Sequence, residues 1–168
     1  VGLYANRIET GLVELDGEQV QLFVREEPGR IPVHIHGGSV GLDQVVWTGE
    51  SGVEQSTAFL KLHYIHADGM DGYPGAVNVT VTYRLTNDNA LKIDYSSTTE
   101  KTTIINLTNH SYFNLIGGGV GNVLNHEMQL ESSELTEVKP GLIPTGRFVS
   151  VAGTPFDFNS PKRIGEHI

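Results

Sequence analysis

The chain contains no cysteine. That absence excludes a disulfide framework, a thiolate nucleophile and any thiolate metal site, and it fits a reducing compartment, so a cytoplasmic location is expected. Basic side chains are scarce as well. Eleven lysines and arginines stand against twenty aspartates and glutamates, and the formal charge of −9 repels nucleic acid phosphates and anionic lipid surfaces. No apolar run approaches the ~20 residues of a membrane span, and no signal peptide is visible from Val1 onward. Nor does any stretch hold a 3.6-residue apolar period, so no long amphipathic helix is expected. These absences disfavour nucleic acid and membrane partners and favour a neutral small molecule.

What is present reads as β nearly throughout. Val77, Val79, Val81, Tyr83 and Leu85 alternate with Asn78, Thr80, Thr82, Arg84 and Thr86, the period of a strand with one buried and one wet face. Leu91, Ile93 and Tyr95 against Lys92, Asp94 and Ser96 give the next strand, and Asn87-Asp88-Asn89 between them is a turn, so the two predict an antiparallel hairpin. Val20, Leu22 and Val24 repeat the pattern after Asp16-Gly17, as do Leu60, Leu62 and Tyr64 before Asp68-Gly69 and Asp71-Gly72. The twenty glycines and seven prolines fall mostly between these runs as punctuation. Gly117-Gly118-Gly119 reads as a loop tip. Two glycosylation sequons, at Asn78 and Asn106, read as strand residues instead. A length of 168 residues falls within the roughly 100–200 typical of one domain, and many short strands joined by tight turns indicate an antiparallel sandwich or barrel.

The most chemically suggestive run is Asn106-Leu107-Thr108-Asn109-His110-Ser111-Tyr112-Phe113-Asn114-Leu115. In an extended chain Asn106, Thr108, His110, Tyr112 and Asn114 share one almost wholly polar face, with His110 at its centre. A histidine titrating near pH ~6.5 among hydrogen-bonding side chains suits proton transfer on a polar ligand. The alternative is a half-exposed strand with a satisfied histidine.

This run has companions in a fixed order: Val1-Gly2-Leu3-Tyr4-Ala5-Asn6-Arg7-Ile8, His36-Gly37-Gly38, Asp71-Gly72-Tyr73-Pro74-Gly75, the segment around His110, Ile143-Pro144-Thr145-Gly146 and Gly153-Thr154-Pro155-Phe156-Asp157-Phe158. Together they resemble the aldose 1-epimerase family, the galactose mutarotases, over essentially the whole chain. The resemblance implies an all-β fold, a large twisted antiparallel β-sandwich with the sugar on one concave sheet. It also implies a protein roughly twice this length. Residues 1–168 are therefore expected to be a partial domain without the family's N-terminal strands and C-terminal half, and that half is the expected partner.

Inverting an aldose at its anomeric carbon needs one acid and one base, and neither a metal nor another cofactor. By resemblance His110 is the acid that protonates the ring oxygen, a role suited to a group whose pKa lies near working pH. His36 resembles the family's second catalytic histidine, which hydrogen-bonds near the ring oxygen, with Gly37 and Gly38 letting sugar approach the backbone. Arg7 presents a guanidinium fork for two sugar hydroxyls, its alternative being a surface ion pair with Glu9 or another acid. Asn6 positions the neighbouring loop, and Tyr112 or Trp47 could lay a ring on the sugar's apolar face, although a lone tryptophan is more often core. Asp157 fits a turn better than a hydroxyl site. The family's general base, a glutamate, and a sugar-gripping aspartate would both lie beyond Ile168, and neither Glu100 nor Glu166 has their motif context.

Departures from the family pattern are Leu3, where arginine is frequent, and Arg30-Ile31-Pro32-Val33-His34-Ile35, which lacks the usual asparagine-rich approach to His36. The residues do not select among galactose, glucose and other aldoses. A sugar phosphate would need a basic cluster that the scattered arginines and lysines do not form. Two other classes compete. His34 and His36, after Gly29, resemble a cupin metal motif, but no glutamate follows about four residues later. A carbohydrate-binding relative without turnover is the second.

Overall fold

The computed structural model describes every residue from Val1 to Ile168, in two compact units, Val1–Asn109 and His110–Ile168. In the first unit β1 (Arg7–Glu9) is followed by the hairpin of β2 (Leu12–Leu15) and β3 (Glu18–Gln21), and then by β4 (Val33–Ile35), which returns to pair with β1. Next come β5 (Thr48–Glu54), β6 (Thr57–His66), β7 (Val77–Leu85) and β8 (Leu91–Thr99), an antiparallel four-stranded sheet in sequential order. The second unit holds β9 (Glu127–Met128), β10 (Glu134–Lys139), β11 (Ile143–Ser150) and β12 (Lys162–Arg163), paired β9 with β12 and β10 with β11. Helix is limited to two short 3₁₀ turns, Met70–Gly72 and Ile164–His167. The all-β expectation therefore holds, with every strand pair antiparallel.

Alternation in β7 builds the core of the first unit. Val77, Val79 and Val81 are buried and pack with Leu3, Leu22, Leu42 and Tyr73, so segments N-terminal to the sheet and the β6–β7 connection cover one of its faces. Each buried valine contributes about 1.5–3 kcal/mol relative to exposure, enough for three of them to anchor the sheet against those segments. Strand pairing sets which residues join them. Val79 lies opposite Tyr64 and Ser97, and Val81 opposite Leu62 and Tyr95, so the same face continues across β6 and β8. Coverage stops short of its far end, where Val53, Leu60, Leu85 and Leu91 stay exposed.

The expected hairpin of β7 and β8 forms, whereas the strand expected from Val20 through Leu22 and Val24 stops at Gln21. The register Leu85↔Leu91 places Asn87-Asp88-Asn89 in the turn, with Asn89 at φ 61°, and Asp16-Gly17 joins β2 to β3. The turn between β5 and β6 uses Gln55 and Ser56 at φ 46° and 64° rather than glycine. Asn78-Val79-Thr80 is in β7 as expected, and Gly117-Gly118-Gly119 is a turn region.

The strand expected over 106–115 does not form. Asn106 makes a parallel bridge to Tyr4, accepting from the Ala5 N–H and donating to the Leu3 carbonyl, both at 2.8 Å. Pairing ends at Thr108, whose N–H reaches the Val1 carbonyl and whose carbonyl accepts from the Val1 amino group. Beyond it the backbone turns to other partners. The Leu115 N–H donates to His126 Nε2 at 2.9 Å, and Asn114 Oδ1 accepts from the Ile116 N–H. A ladder needs an edge to pair with, and this segment takes local side-chain acceptors instead. The Asn106 sequon accordingly lies outside any strand.

Candidate functional site

Three of the expected site residues come together where β1 meets β4. The register Arg7↔Ile35 carries the ladder to its last step, where the His36 N–H donates to the Asn6 carbonyl at 3.3 Å. At that point both chains leave the strand conformation, Asn6 at φ 70° and His36 at φ 53°. The imidazole then folds back, and the Asn6 backbone N–H donates to His36 Nδ1 at 3.1 Å. An acceptor Nδ1 fixes the tautomer: the neutral ring carries its proton on Nε2. His36 is thus set to donate through Nε2. Arg7 Nη1 approaches Asn6 Oδ1 at 3.5 Å, so Asn6 touches both of its site neighbours.

Gly37 and Gly38 have a structural task that the sequence reading did not give them. A Cβ on Gly37 would lie 1.7 Å from the Gly2 carbonyl oxygen, and one on Gly38 would lie 2.6 Å from the Asp71 carboxyl carbon. Their φ values of 98° and 108° are also unsuited to L side chains. The loop after His36 is therefore packed directly onto its own protein, on Gly2 from one side and Asp71 from the other. Asp71 Oδ1 accepts from the Ser39 N–H at 2.7 Å and from its hydroxyl at 2.6 Å.

His34 is a structural residue. It is fully buried, with Nδ1 2.7 Å from the Phe23 carbonyl and Nε2 2.6 Å from the Tyr73 hydroxyl. A carbonyl only accepts, so Nδ1 carries the proton and Nε2 accepts from Tyr73. With both nitrogens engaged it cannot serve as the metal ligand that a cupin reading requires. Burial pushes its pKa down, and that of nearby His66 likewise. Burial pushes the Tyr73 phenol pKa well up, and Tyr4 packs against the core cluster to which Tyr73 belongs. The core around Tyr73 thereby joins the segment leading into Asn6 and Arg7 to the strand leading into His36. The sequence signal for this hub was only its place in Asp71-Gly72-Tyr73-Pro74-Gly75.

His110 and Tyr112 form a pair in the second unit. Their rings lie 5.2 Å apart at 33°, so they share a side although no strand forms, and Tyr112 is 89% exposed. Trp47 is structural: its indole N–H donates to the Leu42 carbonyl at 2.9 Å, and its ring packs on Tyr64. Asp157 satisfies a turn, accepting from the Asn159 N–H and side-chain amide. No helix is long and apolar enough to cross a membrane.

Comparison with known proteins places these residues in a family. The profile described as Aldose 1-epimerase matches residues 1–168. The chain is 40% identical over 171 residues to galactose mutarotase of Bos taurus, covering 100% of this chain and 46% of that protein. It is 40% identical over 164 residues to aldose 1-epimerase of Escherichia coli (strain K12), covering 98% of this chain and 45% of that one. Among solved structures it is similar to galactose 1-epimerase from Lactobacillus acidophilus NCFM, with a TM-score of 0.86 at 32% identity, over 98% of this chain and 47% of that one. The chain spans about half the length of the curated relatives it matches. With all of its residues matched by the family profile, the chain belongs to the aldose 1-epimerase family.

Proposed function

We propose that the chain is part of an aldose 1-epimerase that interconverts the α and β anomers of aldohexoses such as galactose and glucose. The whole-length match to a family of isomerases carries this reading. The geometry of His36 supports it, because a tautomer held by the Asn6 N–H presents a donor at Nε2. The half-length coverage of the relatives supports a partial domain, with further strands on either side supplied by parts of the protein outside residues 1–168.

The reaction divides into two proton transfers. A base takes the proton of the anomeric hydroxyl, that oxygen forms a carbonyl with C1, and the C1–O5 bond breaks with its electron pair passing to O5. His110, as imidazolium, gives O5 its proton. Rotation about C1–C2 presents the other carbonyl face, and the steps reverse. Each positioned proton transfer typically supplies ~10²–10⁴-fold. His36 Nε2–H steadies the ring oxygen, the Arg7 fork holds two hydroxyls, Asn6 orients both neighbours, and Tyr112 offers a ring to the sugar's apolar face. The general base is a carboxylate beyond Ile168. These 168 residues alone then have at most trace turnover.

His110→Asn in the protein extended to the relatives' length tests the acid role. Polarimetry is expected to show turnover falling about 10²-fold or more with sugar affinity largely intact, and unchanged turnover would remove His110 from that role. A second reading, sugar binding without turnover, draws on the same half-length coverage and is selected if the extended protein binds sugar without accelerating anomer exchange.

A further inference from the structure

We propose that Asp71 is the positioning residue for His36, acting through Ser39. The inference rests on the site role given to His36 above and adds the device that keeps its loop in place. His36, Gly37 and Gly38 run through three consecutive residues of positive φ, a path with no ladder hydrogen bond beyond His36 itself to stabilise it. Within the loop the Gly38 N–H closes a tight turn on the Ile35 carbonyl at 3.1 Å. Its exit is held from outside by a single carboxylate oxygen, Asp71 Oδ1, which takes both the N–H and the hydroxyl of Ser39 across 32 residues of sequence.

Asp71 is itself a fixed point. It sits at φ 52° in the Met70–Gly72 turn, and its carbonyl accepts from the Phe23 N–H at 2.8 Å. Gly72 packs so closely on Gln21 that a Cβ would lie 2.3 Å from the Gln21 carbonyl oxygen. One residue further, the Tyr73 hydroxyl donates to His34 Nε2 at 2.6 Å, and Tyr4 packs against the same core cluster. The segment from Asp71 to Tyr73 therefore holds the exit of the His36 loop through Ser39 and the strand entering His36 through His34, while Tyr4, on the segment entering Asn6, packs on the core cluster that includes Tyr73. Only the grip on Ser39 lies on the loop itself. Removing it loosens the exit while the Gly37 contact with Gly2 and the His34–Tyr73 bond remain, and the imidazole can then turn away from the Asn6 N–H. A shift of about 1 Å in such a group can cost ~10²-fold in rate.

Two measurements separate this proposal from the catalytic assignment beneath it. In the 168-residue chain labelled with ¹⁵N, His36 is expected to show an acceptor-type Nδ1 and a protonated Nε2. Asp71→Ala is expected to mix the two tautomers and move the Asn6 amide signal. Asp71→Asn, which keeps an oxygen for Ser39, is expected to restore both. In the protein extended to the relatives' length, Asp71→Ala is expected to lower kcat for galactose anomer exchange about 10- to 100-fold, with Asp71→Asn recovering most of it. Ser39→Ala loses the hydroxyl bond but retains the N–H bond, so a smaller loss is expected, and it carries the test if Asp71→Ala fails to fold. Unchanged His36 signals in folded variants overturn the proposal, as does a loss in Asp71→Asn equal to that in Asp71→Ala. Shifted His36 signals with unchanged turnover uphold the positioning by Asp71 and instead remove His36 from the reaction.

Discussion

Replacing Tyr73 with phenylalanine removes one buried hydroxyl and leaves its ring in place. The ring is fully buried, and phenylalanine preserves its edge contacts with His34 at 5.3 Å and His66 at 5.6 Å. What is lost is the hydroxyl that lies 2.6 Å from His34 Nε2. His34 Nε2 loses its donor and, in a fully buried ring whose Nδ1 is already engaged by the Phe23 carbonyl, finds no replacement. A buried polar group left unsatisfied costs about 1–3 kcal/mol, and a loss of that size is expected here. With a urea slope of about 2 kcal/mol per M, the unfolding midpoint of Tyr73→Phe is expected to fall by about 0.5–1.5 M. Circular dichroism during urea titration at pH 7.5 reads this directly. A midpoint within about 0.2 M of the unsubstituted chain, at unchanged slope, would refute the view of Tyr73 as a hub joining the two segments that carry the site.

Three further outcomes follow from the same structure. Burial lowers the pKa of His34 and His66 below the usual 6.5, so below about pH 6.5 the unfolded chain binds protons that the folded chain resists. Stability is expected to be level above that pH and to fall as pH drops from about 6.5 through the folded values, and urea midpoints between pH 5 and 8 that rise on acidification would contradict this. Gly37→Ala places a methyl 1.7 Å from the Gly2 carbonyl oxygen, a distance no rotamer can relieve, and loss of the native circular dichroism spectrum is expected. The exposed strip of Val53, Leu60, Leu85 and Leu91 beside the wholly exposed edge strand β5 is expected to drive self-association of the 168-residue chain. Light scattering should show concentration-dependent mass, reduced by Leu85→Lys and Leu91→Lys.

Much of the first unit's sheet was legible because β7 buries one face, which β6 and β8 continue with half-buried residues such as Leu62, Tyr64 and Ile93, and so writes a two-residue period into the sequence. β5 was not. Its residues Thr48–Glu54 carry no alternation, and all are exposed; it forms because the edge of β6 offers a ladder, helped by the Lys61–Glu50 ion pair at 3.0 Å. The polar alternation over 106–115 misled for the opposite reason. Alternation shows which side chains would share a face, but a strand also needs an edge to pair with, and pairing with Val1–Ala5 is exhausted by Thr108.

For the site, Asn6, Arg7 and His36 could be named from ordered motifs. Their meeting depended on the β1–β4 register, which two three-residue strands do not announce. His34 looked like a ligand beside His36, yet successive alternate residues can have different fates once the strand ends between them. Asp71 and Ser39 were invisible as a pair, since a contact across 32 residues leaves no periodic trace.

The most direct test is polarimetry of freshly dissolved α-galactose and α-glucose with this chain and with a protein extended to the length of its relatives. Accelerated mutarotation by the extended protein, with at most a trace from the 168 residues alone, is the predicted result. Full activity from a monomeric 168-residue chain would contradict the placement of the base beyond Ile168, and no acceleration by either would contradict the proposed epimerase.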